Sequence, residues 1–329
     1  MRRIDGYPEP AADGPPPLAG ASVAIGNFDG VHRGHQALVA AARAARPRAP
    51  LGVVTFEPHP RRVFQTDAPP FRLTTDAERE RLIARLGVEA LAVLPFDRRL
   101  MRLSPAAFAR DVLVRGLGVT HVATGADFRF GRARLGDAEA LRRLGLALGF
   151  TTTRLALVGD EHGQFSSTAA REAVAAGRMA EAAAILGRPH AVAGRVIEGD
   201  RRGRTLGYPT ANLAFGEQIV PAYGVYAARV HVLDGPHAGA WEGVASIGER
   251  PTFGVNAPNF EVHLFDFAGD LYGAAISVGL VAFLRGEIAY PGAEALIAQM
   301  DRDSLDARRA LAAEPPADPA PVALPGRTG

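Results

Sequence analysis

The chain has 329 residues, of which 47% are hydrophobic and 22% are charged, and its formal net charge is +2. This composition is typical of a globular protein, and the length predicts two domains of roughly 150 residues each. So small a net charge gives no electrostatic footprint for nucleic acid, which we do not expect as a partner.

Two residue types are absent. The chain has no cysteine, and all 37 residues counted as Lys+Arg are arginine. The first absence excludes disulfides, iron–sulfur clusters, thiolate zinc sites and cysteine nucleophiles. The second excludes a Walker A loop, a protein kinase site and a Schiff base, since each needs a lysine. Any phosphate chemistry must therefore use arginine, histidine, backbone N–H groups and metal ions.

The chain start shows no targeting signal. Residues 1–6 lack the apolar region of a signal peptide. No stretch approaches the roughly 20 apolar residues of a membrane-spanning helix. We therefore expect a cytoplasmic protein with no membrane partner.

The first half of the chain alternates between strand and helix patterns, after a loose arm rich in Pro, Ala and Gly at residues 8–18. Strands are predicted at residues 22–25, 51–56, 90–94, 121–124 and 151–158, and helices at residues 36–46, 78–86, 105–115, 138–148 and 168–187. This alternation predicts parallel βαβ units in an α/β doubly wound sheet, with ligands at the carboxyl ends of the strands.

The pattern changes at Gly187, which is followed by a proline at position 189. We place a domain boundary there, between residues 1–187 and 188–313. Short alternating runs at residues 225–233, 241–247, 260–267 and 276–284 predict a small antiparallel barrel or sandwich. A C-terminal helix is predicted at residues 293–313, followed by a disordered tail at residues 314–329.

The sequence GNFDGVHRGH at residues 26–35 lies between the first strand and the first helix. His32 and His35 fall on one face of the first helical turn, where backbone N–H groups and the helix dipole favour an anion. They could bind nucleotide phosphates and stabilise a leaving pyrophosphate. A structural histidine pair or a zinc site is the alternative. The strand-end position, and Gly34, which permits close backbone approach, favour phosphate.

Three further segments follow strands or begin a helix. EPHP at residues 57–60 is a stiff loop that presents a histidine, or an ordinary proline turn. GADFRFG at residues 125–131 offers a carboxylate and aromatic rings, or a turn with local packing. SSTAAR at residues 166–171 offers hydroxyls that normally cap a helix, but Arg171 one turn later adds a phosphate-binding fork.

The second half contains a Gly- and Arg-rich segment at residues 194–207 that suits a phosphate cradle, or a flexible basic hairpin. Thr210 and Asn212 follow it and would share one face of an extended segment, offering hard neutral oxygens to Mg²⁺. Glu261 alternates with Val262 on a predicted strand and could be a general base for an alcohol that attacks a γ-phosphate. A solvent-facing carboxylate is the alternative.

In this order and spacing, the segments resemble the bacterial bifunctional riboflavin kinase/FAD synthetases. In the second half the resemblance rests on GYPTAN at residues 207–212, GERPTFG at 248–254, EVHLF at 261–265 and GDLYG at 269–273. It implies an N-terminal nucleotidyltransferase domain that joins FMN to AMP from ATP, giving FAD and pyrophosphate. It also implies a C-terminal riboflavin-kinase barrel that makes FMN from riboflavin and ATP with Mg²⁺.

The resemblance also implies residue roles. The adenylyltransferase would use His32 and His35 as catalytic residues on the ATP phosphates. Its flavin contacts would come from Pro58, His59 and Phe128. Its further ATP contacts would come from Gly26, Asn27, Phe28, Asp29, Gly34, Asp127, Ser166, Ser167, Thr168 and Arg171. The kinase would use Glu261 to activate the riboflavin hydroxyl and Gly199, Arg204, Gly207, Pro209, Thr210 and Asn212 to bind ATP and flavin, with Mg²⁺ on Thr210 and Asn212. Ala170 departs from the family, which usually has Ile there. We expect a lost packing contact that affects only the placement of Arg171.

Two other functions stay open at this stage. The barrel could be a flavin sensor attached to an adenylyltransferase, or the histidines could belong to an unrelated metal hydrolase. Glu261 together with Thr210 and Asn212 favours the kinase, because a binding module needs neither a base nor a metal pair. The expected ligands are riboflavin, FMN and ATP, and the sequence leaves a homo-oligomer open.

Overall fold

The computed structural model describes residues 1–7, 14–161, 163–199, 207–249 and 258–314. Within these ranges the chain forms two compact units, the first from residues 1–68 and 79–165 and the second from residues 69–78 and 166–314. The domain boundary at Gly187 stays a prediction. Most of the expected arm, at residues 8–13, and the expected tail from residue 315 lie outside the described residues.

The first unit contains a six-stranded parallel sheet with the strand order β1-β4-β3-β2-β5-β8. Its strands are β1 (Arg2–Asp5), β2 (Ser22–Ile25), β3 (Leu51–Glu57), β4 (Ala90–Pro95), β5 (His121–Gly125) and β8 (Thr151–Leu155). Two short hairpins add β6 (Arg129–Phe130) with β7 (Gly136–Asp137), and β9 (Gly159–Asp160) with β10 (Gly163–Gln164). The predicted parallel sheet is confirmed. Edge strand β1 was not predicted, because Ile4 is its single apolar residue and one residue makes no alternating pattern.

Helices connect these strands and cover both faces of the sheet. They are α1 (Arg33–Ala45), α2 (Pro60–Phe64), α3 (Asp76–Arg85), α4 (Arg98–Arg102), α5 (Pro105–Ala107) and α6 (Ala138–Leu148). Helix α5 continues as a π-helix, Phe108–Leu117, where the sequence predicts an ordinary helix. On β2, Val23 packs into one hydrophobic cluster and Ala24 into another. This two-sided burial is typical of a doubly wound parallel sheet.

The second unit contains a curled antiparallel sheet with the strand order β11-β16-β13-β14-β15-β12. Its strands are β11 (His190–Arg195), β12 (Ala211–Leu213), β13 (Gly224–Val232), β14 (Gly239–Glu249), β15 (Pro258–Leu264) and β16 (Ala275–Arg285). Beyond β11, the N–H of Ile197 donates to the carbonyl of Asn212 at 2.9 Å, and this bridge joins the two edges of the sheet. The predicted barrel is therefore confirmed.

Three helices accompany the barrel: α7 (Ser167–Ala175), α8 (Met179–Leu186) and α9 (Ala293–Ala313). The prediction of one helix over residues 168–187 was wrong, because Gly177 turns the chain with a φ of 72°. Helix α9 has the predicted bounds and packs through Ala307 and Leu311 against Phe265.

The segment at residues 69–78 belongs to the second unit although it lies early in the chain. The backbone N–H groups of Phe71 and Arg72 donate to the carbonyl of Glu217, and the N–H of Ile219 donates to the carbonyl of Arg72 at 2.8 Å. Backbone hydrogen bonds of this kind fix a segment independently of its side chains.

Candidate active sites

The segment between β2 and α1 turns sharply at two residues. Phe28 and Val31 have φ angles of 53° and 42°, in a region that residues other than glycine rarely adopt. The Phe28 ring and the Asp29 side chain are fully buried, so packing holds this backbone in place. Below it, Thr55 donates from Oγ1 to the carbonyl of Asn27 at 3.0 Å. Strained backbone of this kind is concentrated at functional sites.

The two histidines of this segment lie at the start of α1. Their rings stack with centroids 3.7 Å apart, and the His35 ring lies 4.7 Å from that of Phe28. A Cβ atom on Gly34 would stand 3.0 Å from the His32 ring and 3.0 Å from the carbonyl oxygen of Phe165. Gly34 therefore leaves room for the His32 ring and the Phe165 carbonyl, and its close approach to a phosphate stays a prediction. Among the described residues, no group of three or more His, Asp or Glu is arranged to hold a metal ion.

The loop after β3 is fixed by a buried arginine. Arg79 is completely buried and donates from Nη2 to Glu57 Oε2 at 3.0 Å. The other carboxylate oxygen of Glu57 accepts the N–H of His59 at 3.2 Å, beside Pro58. His59 in turn caps α2, since its Nδ1 accepts the N–H of Arg61 at 3.1 Å. The role of Arg79 was not predicted, because an arginine in an amphipathic helix usually faces solvent.

The loop after β5 carries an exposed carboxylate and a packed ring. Asp127 is exposed in a turn that the N–H of Phe128 closes by donating to the carbonyl of Gly125 at 3.2 Å. The Phe128 ring stacks on that of Phe130 at 5.5 Å and packs against the hydrophobic core. Phe128 thus contributes to local packing, whatever ligand it contacts.

The start of α7 belongs to the second unit, whereas the histidine pair belongs to the first. Ser166 caps α7 by accepting the N–H of Ala169 at 3.1 Å, so its cap role is confirmed. Arg171 donates from Nε to the carbonyl of Phe71 at 2.8 Å, and its guanidinium lies 5.5 Å from the centre of that ring. Ala170 is completely buried. Ser167 and Thr168 lie in the first turn of the helix.

In the barrel, Glu261 is held at both carboxylate oxygens. Thr210 donates from Oγ1 to Oε2 at 3.2 Å, and Asn259 donates from Nδ2 to Oε1 at 2.9 Å. Phe260, Val262 and Leu264 are buried while Glu261 is half-buried, so the predicted alternation is confirmed. The contact of Asn259 was not predicted, although its position two residues before Glu261 puts it on the same face of the strand.

Asn212 lies directly opposite Glu261 in the ladder between β12 and β15. Asn212 is buried, with only 5% of the residue exposed, and its side chain packs against Gly199. A Cβ atom on Gly199 would stand 2.4 Å from Asn212 Nδ2. Gly199 therefore makes room for the Asn212 amide in addition to any contact with phosphate.

The turn before Thr210 contains Gly207, whose φ is 84°, and Pro209, whose carbonyl contacts His263 Nδ1 at 2.8 Å. The Tyr208 ring lies 5.0 Å from the His263 ring, and the Tyr208 hydroxyl donates to Asp301 Oδ1. Burial and then the hydrogen bond to Asp301 raise the pKa of Tyr208. Arg204 and the motif at residues 250–254 lie outside the described residues.

Comparisons with known proteins match both halves of the chain. A family model for FAD synthetase matches residues 15–169, and one for riboflavin kinase matches residues 186–311. The bifunctional riboflavin kinase/FMN adenylyltransferase of Escherichia coli K12 is 42% identical over 303 residues, covering 92% of this chain and 96% of the relative. Its counterpart in Pseudomonas fluorescens is 43% identical over 301 residues, 91% of this chain and 95% of the relative.

A solved structure titled as a macrolide-efflux protein from Streptococcus pneumoniae has a TM-score of 0.82 and 31% identity. The match covers 94% of this chain and 99% of that one. In the part of the chain that the structure describes, every helix is too short or too polar to cross a membrane.

Proposed function

The chain belongs to the bifunctional riboflavin kinase/FMN adenylyltransferases, and we propose how its residues divide the two reactions between its two halves. The protein phosphorylates riboflavin with ATP to give FMN, and it adenylylates FMN with a second ATP to give FAD and pyrophosphate. Because both reactions consume ATP, we place them in the cytoplasm.

The kinase reaction is assigned to the group around Glu261. This carboxylate takes the proton of the riboflavin 5′-hydroxyl as the oxygen attacks the γ-phosphorus of ATP and ADP leaves. The supporting observation is its fixed orientation, with one oxygen bound by Thr210 and the other by Asn259. A carboxylate held in one rotamer is pre-organised to accept a proton from a defined direction.

Thr210 and Asn212 are the residues that would hold Mg²⁺ bound to ATP. Their oxygens are hard and neutral, as Mg²⁺ bound to phosphates accepts. The Thr210 hydroxyl hydrogen is directed to Glu261, so its oxygen lone pairs remain for a cation. When bound, the ion neutralises charge on the phosphates.

The adenylyl transfer is assigned to His32 and His35. A phosphate oxygen of FMN attacks the α-phosphorus of ATP, and pyrophosphate leaves. The stacked imidazoles and the N-terminal N–H groups of α1 stabilise the charge that develops on pyrophosphate. The ATP contacts of Asp127, Ser167, Thr168 and Arg171, and the flavin contacts of Pro58, His59 and Phe128, stay predictions.

The kinase assignment is tested with Glu261→Gln, which keeps the size of the side chain but removes its charge and replaces one accepting oxygen with an NH2 group. We expect FMN formation to fall by about 10²- to 10⁴-fold, since this is the usual contribution of a general base. Conversion of supplied FMN to FAD should be unchanged. The assay is chromatography of flavins after incubation with ATP and Mg²⁺. Glu242→Gln, an exposed carboxylate on β14, is the matched control. Equal loss of both reactions in Glu261→Gln would contradict the assignment.

The adenylyltransferase assignment is tested with His35→Ala. FMN should accumulate from riboflavin while FAD formation falls by about 10²- to 10³-fold, as when one charge-stabilising group is removed. His231→Ala, at an exposed position on β13, is the control. FAD synthesis at the normal rate in His35→Ala would exclude the role given to that histidine.

A further inference from the structure

The turn at residues 207–210 determines where Thr210 stands relative to Glu261. Pro209 has no N–H group, so it can anchor the turn only through its carbonyl. Thr210 immediately precedes β12, and its hydroxyl must reach Glu261 on the neighbouring strand β15. Any displacement of the turn therefore moves the Thr210 oxygen away from the site.

The first anchor of the turn is His263. Its Nδ1 lies 2.8 Å from the carbonyl oxygen of Pro209, and because a carbonyl only accepts, Nδ1 carries the hydrogen. His263 is two residues beyond Glu261 on β15 and therefore shares its face. One strand thus carries both the carboxylate and the donor that fixes the turn.

The second anchor is the Tyr208 side chain. Its ring contacts the His263 ring at a centroid distance of 5.0 Å and an interplanar angle of 61°, and its hydroxyl donates to Asp301. The raised pKa of Tyr208 keeps the phenol protonated, so the hydroxyl stays a donor to the Asp301 carboxylate. A hydrogen bond to a charged acceptor is stronger than one between neutral groups.

Helix α9, which carries Asp301, is itself fixed on the barrel. Asp303 lies two residues after Asp301 and accepts hydrogen bonds from Arg285 Nε at 2.8 Å and Arg285 Nη2 at 2.6 Å, so the ion pair is bidentate. Gln299 also donates to Asp303 at 2.9 Å. Asp301 therefore presents its carboxylate from a helix turn whose position is defined.

From these contacts we infer that Asp301 and Tyr208 are positioning residues of the kinase site, which together with His263 fix the turn that places Thr210. The inference rests on the proposed role of Thr210 in holding Mg·ATP. The C-terminal helix thereby contributes to the binding of the phosphate donor, although Asp301 is outside the motifs that resemble the family.

The test combines Tyr208→Phe, Asp301→Ala and the double variant in steady-state riboflavin phosphorylation. Tyr208→Phe keeps the ring contact with His263 and removes only the hydroxyl. We expect each single variant to raise the KM for Mg·ATP by about three- to tenfold, as the loss of one hydrogen bond allows. The double variant should raise it no further, because both substitutions break the same contact. The KM for riboflavin and the rate of FMN adenylylation should stay within about twofold of wild type.

Asp306→Ala is the control on the same helix, since Asp306 is exposed and pairs with Arg309. It should leave all the constants unchanged. An unchanged KM for Mg·ATP in Tyr208→Phe, or additive effects in the double variant, would overturn the inference. If Glu261→Gln keeps full kinase activity, the proposed function itself fails. If Glu261→Gln is inactive while Tyr208→Phe and Asp301→Ala match wild type, only the positioning role fails.

Discussion

Two glycines make room for side chains that are assigned to the two reactions. Gly34 allows the His32 ring to lie against the first turn of α1, and Gly199 allows the Asn212 amide to occupy the space beside β12. At both positions a Cβ atom would stand within about 3 Å of the neighbouring side chain. The glycine requirement thus comes from the shape of the site rather than from the backbone angle.

Gly199→Ala should therefore impair the kinase. The new methyl group would meet the Asn212 amide at 2.4 Å, so the amide must leave its present position. We expect FMN formation to fall by about ten- to hundredfold, as a displacement near 1 Å in a catalytic site can cause. Flavin chromatography measures the loss. Gly286→Ala, where a Cβ atom meets nothing within 4 Å, should behave as wild type. Full activity of Gly199→Ala would show that the kinase reaction does not need the Asn212 amide at its present position.

The motifs indicated most of the side chains of the proposed kinase site but not the contacts that hold them. Glu261 and Thr210 are 51 residues apart in the chain, and their expected association is observed as a hydrogen bond. The supporting contacts of Asn259, Tyr208 and Asp301 could not be predicted, because they depend on strand register and on the docking of α9. The burial of Arg79 could likewise not be predicted, since its partner Glu57 lies on another element.

At the scale of elements, α9 is joined to the barrel by a buried ion pair. The Asp303 side chain is 6% exposed and that of Arg285 is 19% exposed. The hydrogen bond and charge of Asp303 raise the pKa of Arg285 further, so the guanidinium stays charged at any ordinary pH. Removing one partner leaves the other charge buried without compensation, which destabilises a protein more than the pair stabilises it.

Asp303→Ala should lower the free energy of unfolding of the second unit by about 2–4 kcal/mol, near the range for breaking a buried ion pair. Trp241, the single tryptophan, lies in this unit and can report its unfolding by fluorescence in a denaturant titration. Asp306→Ala should change the value by less than about 0.5 kcal/mol, because its ion pair is exposed. Equal stabilities of the two variants would contradict the importance of the Arg285 pair.

Helices α6 and α9 agree with their predicted bounds residue for residue, whereas α1 begins at Arg33, before its predicted start at residue 36. Helices α2 and α4 were missed because segments of five residues show too little periodicity. The π-helix at Phe108–Leu117 was taken for an ordinary helix, since an apolar pattern over ten residues does not distinguish hydrogen bonds to i+4 from those to i+5.

At the scale of the whole molecule, His121 links stability to pH. It is buried at the start of β5, with Nδ1 2.8 Å from Thr151 Oγ1. Burial, and then the charge of Arg46, lower its pKa below the usual value. Below about pH 6.5 the unfolded chain therefore binds a proton that the folded protein resists. The free energy of unfolding should be constant above that pH and fall as the pH drops.

This dependence should reach a slope of up to about 1.4 kcal/mol per pH unit between pH 6.5 and 5. Carboxylates such as Glu89, whose pKa is lowered by hydrogen bonds from Leu51 and Arg43, titrate below this window. Denaturant titrations of the wild type and of His121→Gln across these pH values provide the measurement. The variant should lose the slope, and an identical slope in both proteins would exclude His121 as its source.

The two halves were predictable from the change of periodicity along the chain, and their separate chemistries from the resemblance of the ordered motifs to the family. The return of residues 69–78 to the second unit was not predictable. It depends on backbone hydrogen bonds to Glu217 and Ile219, which local sequence patterns do not encode.

The placement of residues 69–78 in the second unit affects how the chain folds while it is being synthesised. A ribosome makes the chain from its N-terminus, and domains generally fold as they emerge. Residues 69–78 leave the exit tunnel long before Arg171 and Glu217, their hydrogen-bond partners, have been translated. We therefore expect the nascent parallel sheet to form with this stretch still unattached, and its attachment to wait until the barrel has been made.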